Sequence, residues 1–193
     1  MARGESLNAA APAPVRHLLD ALEKLAQLDG WLGAGCLVTL TALMLAEIGV
    51  RALSSVFTFL PADIPIAWEY CSYLMAACFT FGAAMTLRAG GHIRVSLVLS
   101  RLAPPMRRLL EIAAALGAFA FTGFLAVAMV RFTWSAFERG QTSISSGTRL
   151  WIPEALVTFG IVLLALQFLA RSIQALLGLP LEDARIKAGA PVE

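Results

Sequence analysis

The sequence predicts an all-α integral membrane protein with four transmembrane helices, plus N-terminal and central amphipathic interfacial helices. Three observations carry this. Residues 31–50, 66–87, 109–130 and 155–177 are apolar runs, each of the roughly 20 residues that a helix needs to cross a hydrocarbon core about 30 Å thick. The mean hydropathy is +0.75 and 59% of the 193 residues are hydrophobic, more than a soluble fold of this size buries. The basic residues, finally, are sorted by loop.

The first segment, 1–30, is expected to be a cytoplasmic tail ending in an amphipathic helix. Val15, Leu18, Leu19, Leu22, Leu25 and Ala26 recur at helical spacing, and Arg16, Asp20, Glu23, Lys24 and Gln27 lie off that stripe. Such a helix rests on the membrane surface before the first span; a cytosolic extension of that span is the alternative. Glu5, Asp20, Glu23 and Asp29, with no early apolar core, do not fit a cleaved signal.

The second segment, 31–178, holds the four spans. Eleven of the fifteen Lys and Arg residues fall in the N-terminal tail, the connection between spans two and three, and the C-terminal side. The other two connections carry only Arg51, Arg131, Arg139 and Arg149. The positive-inside rule then puts both termini in the cytoplasm. Trp68, Trp134 and Trp151 form an outer aromatic belt and Trp31 an inner anchor. The last segment, 179–193, is a cytoplasmic tail.

Among the connections, the middle one is the most structured. Gly90-Gly91 ends span two, and Val95, Val98, Leu99 and Leu102 share a helical stripe that stops at Pro104-Pro105. A short helix in the cytoplasmic interface follows, its arginines facing lipid headgroups or an acidic partner. The first outer connection is oddly apolar, with Val56, Phe57, Phe59 and Leu60. The second outer connection, residues 140–147, is polar and expected to be flexible.

Ionisable groups at membrane depth are functional candidates. Glu47 and Arg51 are four apart, in the order that favours a helical ion pair. Glu69 opens span two beside Trp68, where a helix N-terminus favours a carboxylate; anchoring within the chain and contact with another subunit are both open. Glu111 is expected to pair with Arg108, and Gln167 to hydrogen-bond across helices for about 1 kcal/mol or less. Small residues on spans two and three suit close helix packing. Cys36, Cys71 and Cys78 read as small hydrophobes and not as a disulfide or metal framework. The only histidines, His17 and His92, lie outside the apolar cores, which argues against a bis-histidine haem. No nucleophile–base set or metal-ligand spacing is visible, and the small net charge of +2 does not point to nucleic acid. Cofactors and metals are therefore not expected, and neither is enzymatic activity.

Residues 68 to 102 resemble the small membrane subunit of tripartite ATP-independent periplasmic (TRAP) transporters, the DctQ-like family. Trp68 and Glu69 open span two; Arg88, Gly90, His92, Ile93, Arg94 and Val95 close it, followed by a proline and Arg107-Arg108. Arg51 after span one, Gly140-Gln141-Thr142-Ser143 after span three, and Trp151, Pro153 and Gly160 of span four extend the likeness over about residues 31 to 177. Two departures stand out: Glu69-Tyr70 where many members have two acids, and Ser96 where many have Asp.

The resemblance implies a scaffold subunit in a bacterial inner membrane. A large permease subunit, paired with this chain as a heterodimer, carries the sodium-coupled transport core. A periplasmic binding protein delivers an organic anion such as a carboxylate or sialic acid, and the small subunit braces the permease. Trp68, Glu69, Arg88, His92 and Arg94, then Glu47 and Arg51, are the candidates for contact with the partner or with lipid. The alternatives are a membrane anchor for a quinone-linked redox complex and a small self-contained channel or exporter. The lack of a polar stripe through the spans speaks against the channel.

Overall fold

The computed structural model describes residues 12–57, 61, 63–88 and 103–179. The described residues form four helices: α1 (Ala13–Ser54), α2 (Ala67–Arg88), α3 (Pro104–Glu138) and α4 (Trp151–Leu177). All four are long and apolar enough to cross a membrane, as the sequence predicts. The chain is a multi-pass membrane protein. The expected interfacial helix at 93–102, with His92, Arg94 and Ser96, and the tail from 180 onward lie outside the described residues.

Proline starts two of these helices. Pro14 sits in the first turn of α1, and Pro104-Pro105 opens α3, positions where the missing N–H would have no intrahelical partner anyway. Gly178 ends α4 in the left-handed conformation, φ 70°, while the Leu179 amide donates to the Gln174 carbonyl at 2.9 Å.

α1 differs from expectation. Its amphipathic stretch is helical but runs into the first span without a break, making one helix of 42 residues, about 63 Å long. That is about twice the hydrocarbon core, so part of α1 extends beyond it. The apolar stripe of its amphipathic stretch packs on this chain: Leu19 and Leu22 cluster with Ala170 and Leu179. Gly30 stands at the junction. Its cost of about 1 kcal/mol is small beside the burial of Leu19, Leu22 and Ala26, each 5% exposed or less.

The helices form a layer in the order α1, α2, α4, α3, with α1 also touching α4. α3 packs chiefly on α4, through Ala126, Ile161 and Ala165. Lipid tails are as apolar as leucine, so close approach and van der Waals contact hold the layer together. The tightest seam surrounds the middle of α2. A Cβ added to Gly33 of α1 would lie 3.1 Å from the Gly82 amide nitrogen, and one added to Gly160 of α4 would lie 2.6 Å from Thr80 Oγ1. Phe81 fills the space between, 1% exposed and edge-on to Phe159 with ring centroids 6.2 Å apart.

Hydroxyls at membrane depth are satisfied close by. Thr39, Thr41, Thr86 and Thr122 donate to carbonyls one turn back, and Thr133 meets Thr158 across α3 and α4 at 2.8 Å. Gln167 makes the cross-helix bond expected of it, Nε2 donating to the Leu22 carbonyl at 2.6 Å. The three cysteines are free.

Gly160→Ala is expected to lower the thermal unfolding midpoint of the chain in detergent, because overpacking costs about 1–3 kcal/mol. Gly35→Ala, where an added Cβ meets nothing within 4 Å, should hold or raise the midpoint through helix propensity. The same shift in both variants would contradict a seam at Gly160.

Candidate functional site

Two carboxylates organise the end of the layer that carries the 55–66 and 139–150 connections, here the hairpin end. Glu69 stands in the first turn of α2, where the helix N-terminus favours negative charge. Tyr73, one turn on, donates its phenol to Oε1 at 2.6 Å. Ser146 donates to the same oxygen at 3.0 Å, and Ser145 makes a short bond to Oε2.

Further hydroxyls line up behind these donors. Ser143 Oγ lies 3.2 Å from Ser145 Oγ; Thr148 Oγ1 lies 2.7 Å from Ser146 Oγ, and Tyr70 Oη lies 2.9 Å from Thr148 Oγ1. A carboxylate only accepts and each hydroxyl has one proton. Tyr73, Ser145 and Ser146 are therefore the donors to Glu69, while Ser146 Oγ also reaches Thr148 Oγ1, which Tyr70 meets in turn. Charge-assisted bonds of this kind are about twice as strong as neutral ones.

The result is a folded connection between α3 and α4, where the sequence suggested a flexible one. Thr142 and Arg149 form an antiparallel bridge, the Ser143 amide donates to the Thr148 carbonyl at 2.8 Å, and Gly140 and Gly147 take positive φ. Glycine is needed at those two turns because a Cβ is strained there.

Glu47 does the same for the first connection. Oε1 accepts from Arg51 at 2.8 Å and Oε2 accepts the Ile64 amide at 2.7 Å, tying residue 64 back to α1. The expected ion pair is present, with Arg51 largely solvent-facing and the Glu47 side chain 4% exposed. The backbone amide is the contact that the spacing of Glu47 and Arg51 could not reveal.

The opposite end, the tail end, is held by arginines. Arg171 of α4 donates to the Leu87 carbonyl of α2 at 2.9 Å, and Arg108 of α3 donates to the Leu176 carbonyl of α4 at 3.2 Å. Both cations meet helix C-termini, the negative end of the backbone dipole. Glu111 therefore pairs with Arg107, at 3.3 Å and four residues away, instead of with Arg108 as expected. Arg108 is drawn to α4 by carbonyls that only the tertiary fold brings near.

Of the remaining candidates, Trp68 is 63% exposed. Arg88 is the last residue of α2, and its side chain, with His92 and Arg94, lies outside the described residues. Sequence reasoning missed Tyr73, Ser145, Ser146 and Thr148. Tyr73 at one helical turn from Glu69 was the available signal; the serines had none, because they reach Glu69 across 76 and 77 residues. The cluster orders a loop by hydrogen bonding. Among the described residues no group of three or more His, Cys, Asp and Glu is assembled.

Comparison with known proteins now bears on this geometry. Residues 40–178 match a family model described as tripartite ATP-independent periplasmic transporters, DctQ component. The chain is also 31% identical over 121 residues to the C4-dicarboxylate TRAP transporter small permease protein DctQ of Rhodobacter capsulatus, covering 61% of this chain and 52% of that protein. The matched region thus spans about half the length of that relative. No solved structure matches.

Glu69→Ala should free the 143–148 connection. Amide exchange at Ser143 and Gly147 is expected to quicken by at least about tenfold, with the Ile64 amide unchanged. Glu47→Ala should do the reverse. Parallel acceleration at both connections in either variant would refute two independent staples.

Proposed function

Because this chain belongs to the DctQ component family of TRAP transporters, a family of transporter components and not of enzymes, we propose that it braces a large permease subunit in the membrane. That subunit would carry sodium-coupled uptake of an organic anion handed over by a periplasmic binding protein. The observation that carries this reading is the layer itself. Its helices are unbroken, its hairpin end is stapled by Glu47 and Glu69, and its tail end is tied by Arg108 and Arg171. A transport core commonly interrupts its helices around a midplane site; this chain spends its polar groups on holding itself in shape.

The broad apolar faces of α1 and α3 support the same reading. Val38, Leu45 and Ile48 on α1, and Phe121, Phe124 and Val127 on α3, are each more than half exposed, free for lipid or for a second membrane subunit. Trp68, Arg88, His92 and Arg94 are the proposed contacts with that subunit or with headgroups. Glu47, Arg51 and Glu69 would act one step back, by fixing the connections that face it. In this reading the chain sits in a bacterial inner membrane with both termini in the cytoplasm, as its loop charges support.

Affinity purification from native membranes should recover a second, larger multi-span protein in 1:1 ratio. Liposomes should take up an organic anion against its gradient only when both subunits, a periplasmic binding protein and sodium are present. Uptake by the larger subunit alone, or recovery of this chain with flavin or iron–sulfur proteins, would overturn the proposal. For orientation, a cysteine placed at Ile144 should react with an impermeant maleimide from outside intact spheroplasts, and one at His17 only after lysis. The opposite pattern would invert the topology.

A further inference from the structure

Between α3 and α4 lies a groove of about 490 Å³, within the size range of small-molecule sites. It opens sideways, and Trp134, Phe137 and Phe159 on its walls are about half exposed. Aromatic rings frame its mouth at the hairpin end. The Phe137 ring centroid lies 5.9 Å from that of Trp134 and 5.5 Å from that of Trp151, and tryptophan gathers at the level of lipid headgroups. From Trp151 the groove follows α4 as far as Val162, a rise of about 16 Å. Deeper in the layer the two helices close, with Ala126 of α3 clustered against Ile161 and Ala165 of α4.

The walls are apolar except for two hydroxyls, Thr133 and Thr158, bonded to each other at 2.8 Å. Each hydroxyl has one proton, and their bond uses one of the two. The second proton has no acceptor among the described residues. A donor left unpaired away from water is costly. Thr133 stands one helical turn below Phe137, about 6 Å, so this spare donor lies just beneath the aromatic mouth. The indole N–H of Trp134 is already taken by Glu138, at 2.8 Å.

We propose that the groove holds one acyl chain of a glycerophospholipid from the leaflet at the hairpin end, its ester carbonyl accepting the spare proton of the Thr133–Thr158 pair. Length selects this occupant. The groove covers about half of a hydrocarbon core about 30 Å thick, and an acyl chain ends at that depth, whereas a crossing helix would continue past the closed part of the seam. Charge agrees with it. The connection above the mouth, residues 139–150, carries Arg139 and Arg149 and no acid, which suits a phosphodiester. Arg139 folds back on Ser135, while Arg149 is exposed two residues before Trp151. The acid that reaches this connection, Glu69, is engaged by Tyr73, Ser145 and Ser146.

The bound chain supplies the dispersion contacts that the open wall lacks, and it stiffens the α3 edge of the layer from the hairpin end. This holds whatever membrane subunit the chain accompanies.

The experiment uses the full chain, extracted from bilayers of phosphatidylglycerol and phosphatidylethanolamine and weighed by native mass spectrometry. The parent should keep one tightly held phospholipid. Ala155→Phe, which fills the groove, should lower that retention at least about tenfold. Ala128→Phe, at an exposed position of α3 outside the groove, should leave it unchanged. Should Ala155→Phe fail to fold, the double variant Thr133→Val, Thr158→Val removes the spare proton at nearly the same shape, and retention should weaken about fivefold. Retention that is absent from the parent, or equal in the parent and all variants, would overturn the proposal. In native membranes a benzophenone side chain at position 155 should photocross-link to phospholipid. An adduct with a second membrane protein in its place would assign the groove to a helix and overturn it.

Discussion

Everything in this layer depends on how closely the middle of α2 approaches its neighbours. Gly33 and Gly160 grip the turn Thr80–Phe81–Gly82 from two sides, at distances that leave no room for a methyl group at Gly160. In lipid, apolar surface gains little by leaving its solvent for another apolar surface, so helices associate where their backbones can come near. Thr80 turns its hydroxyl onto the Ala77 carbonyl at 3.0 Å, which leaves the side chain compact enough to fit. Phe81 then closes the gap that glycine leaves, and the order α1, α2, α4 is set.

Once that seam is made, the helix ends find their partners with a common electrostatic logic. Carboxylates gather at the hairpin end, where Glu69 sits on a positive helix terminus and Glu47 takes a backbone amide. Guanidinium groups gather at the tail end, where they meet the terminal carbonyls of α2 and α4. Helix dipoles favour each of these placements. α3, which packs chiefly on α4, is connected to the rest of the layer through Arg108 at one end and through its loop on Glu69 at the other.

Among the described residues, a layer built in this way presents two apolar flanks and few polar groups with bonding capacity left. That fits the supporting role proposed for it. Moving a solute needs helices that open and polar atoms that change partners, and here the depth hydroxyls bond to their own helices or to each other.

The amino-acid sequence by itself determined the four crossing helices, since run length and hydropathy act residue by residue, and it determined the family likeness. It also reached the Glu47–Arg51 pair and the bonding of Gln167, because one helical turn and a lone polar group in an apolar run are local signals. Only the tertiary structure decided that the amphipathic stretch of α1 packs on α4, because a stripe of leucines is equally apolar toward lipid and toward Ala170 and Leu179. It decided, too, that the serines of the α3–α4 connection serve Glu69, and that Arg108 leaves Glu111 to Arg107. Those partners lie 68 to 77 residues apart in the chain, and no periodicity connects them. Hydrogen bonds and close approach are fixed by distances between helices, which exist only once the helices have packed.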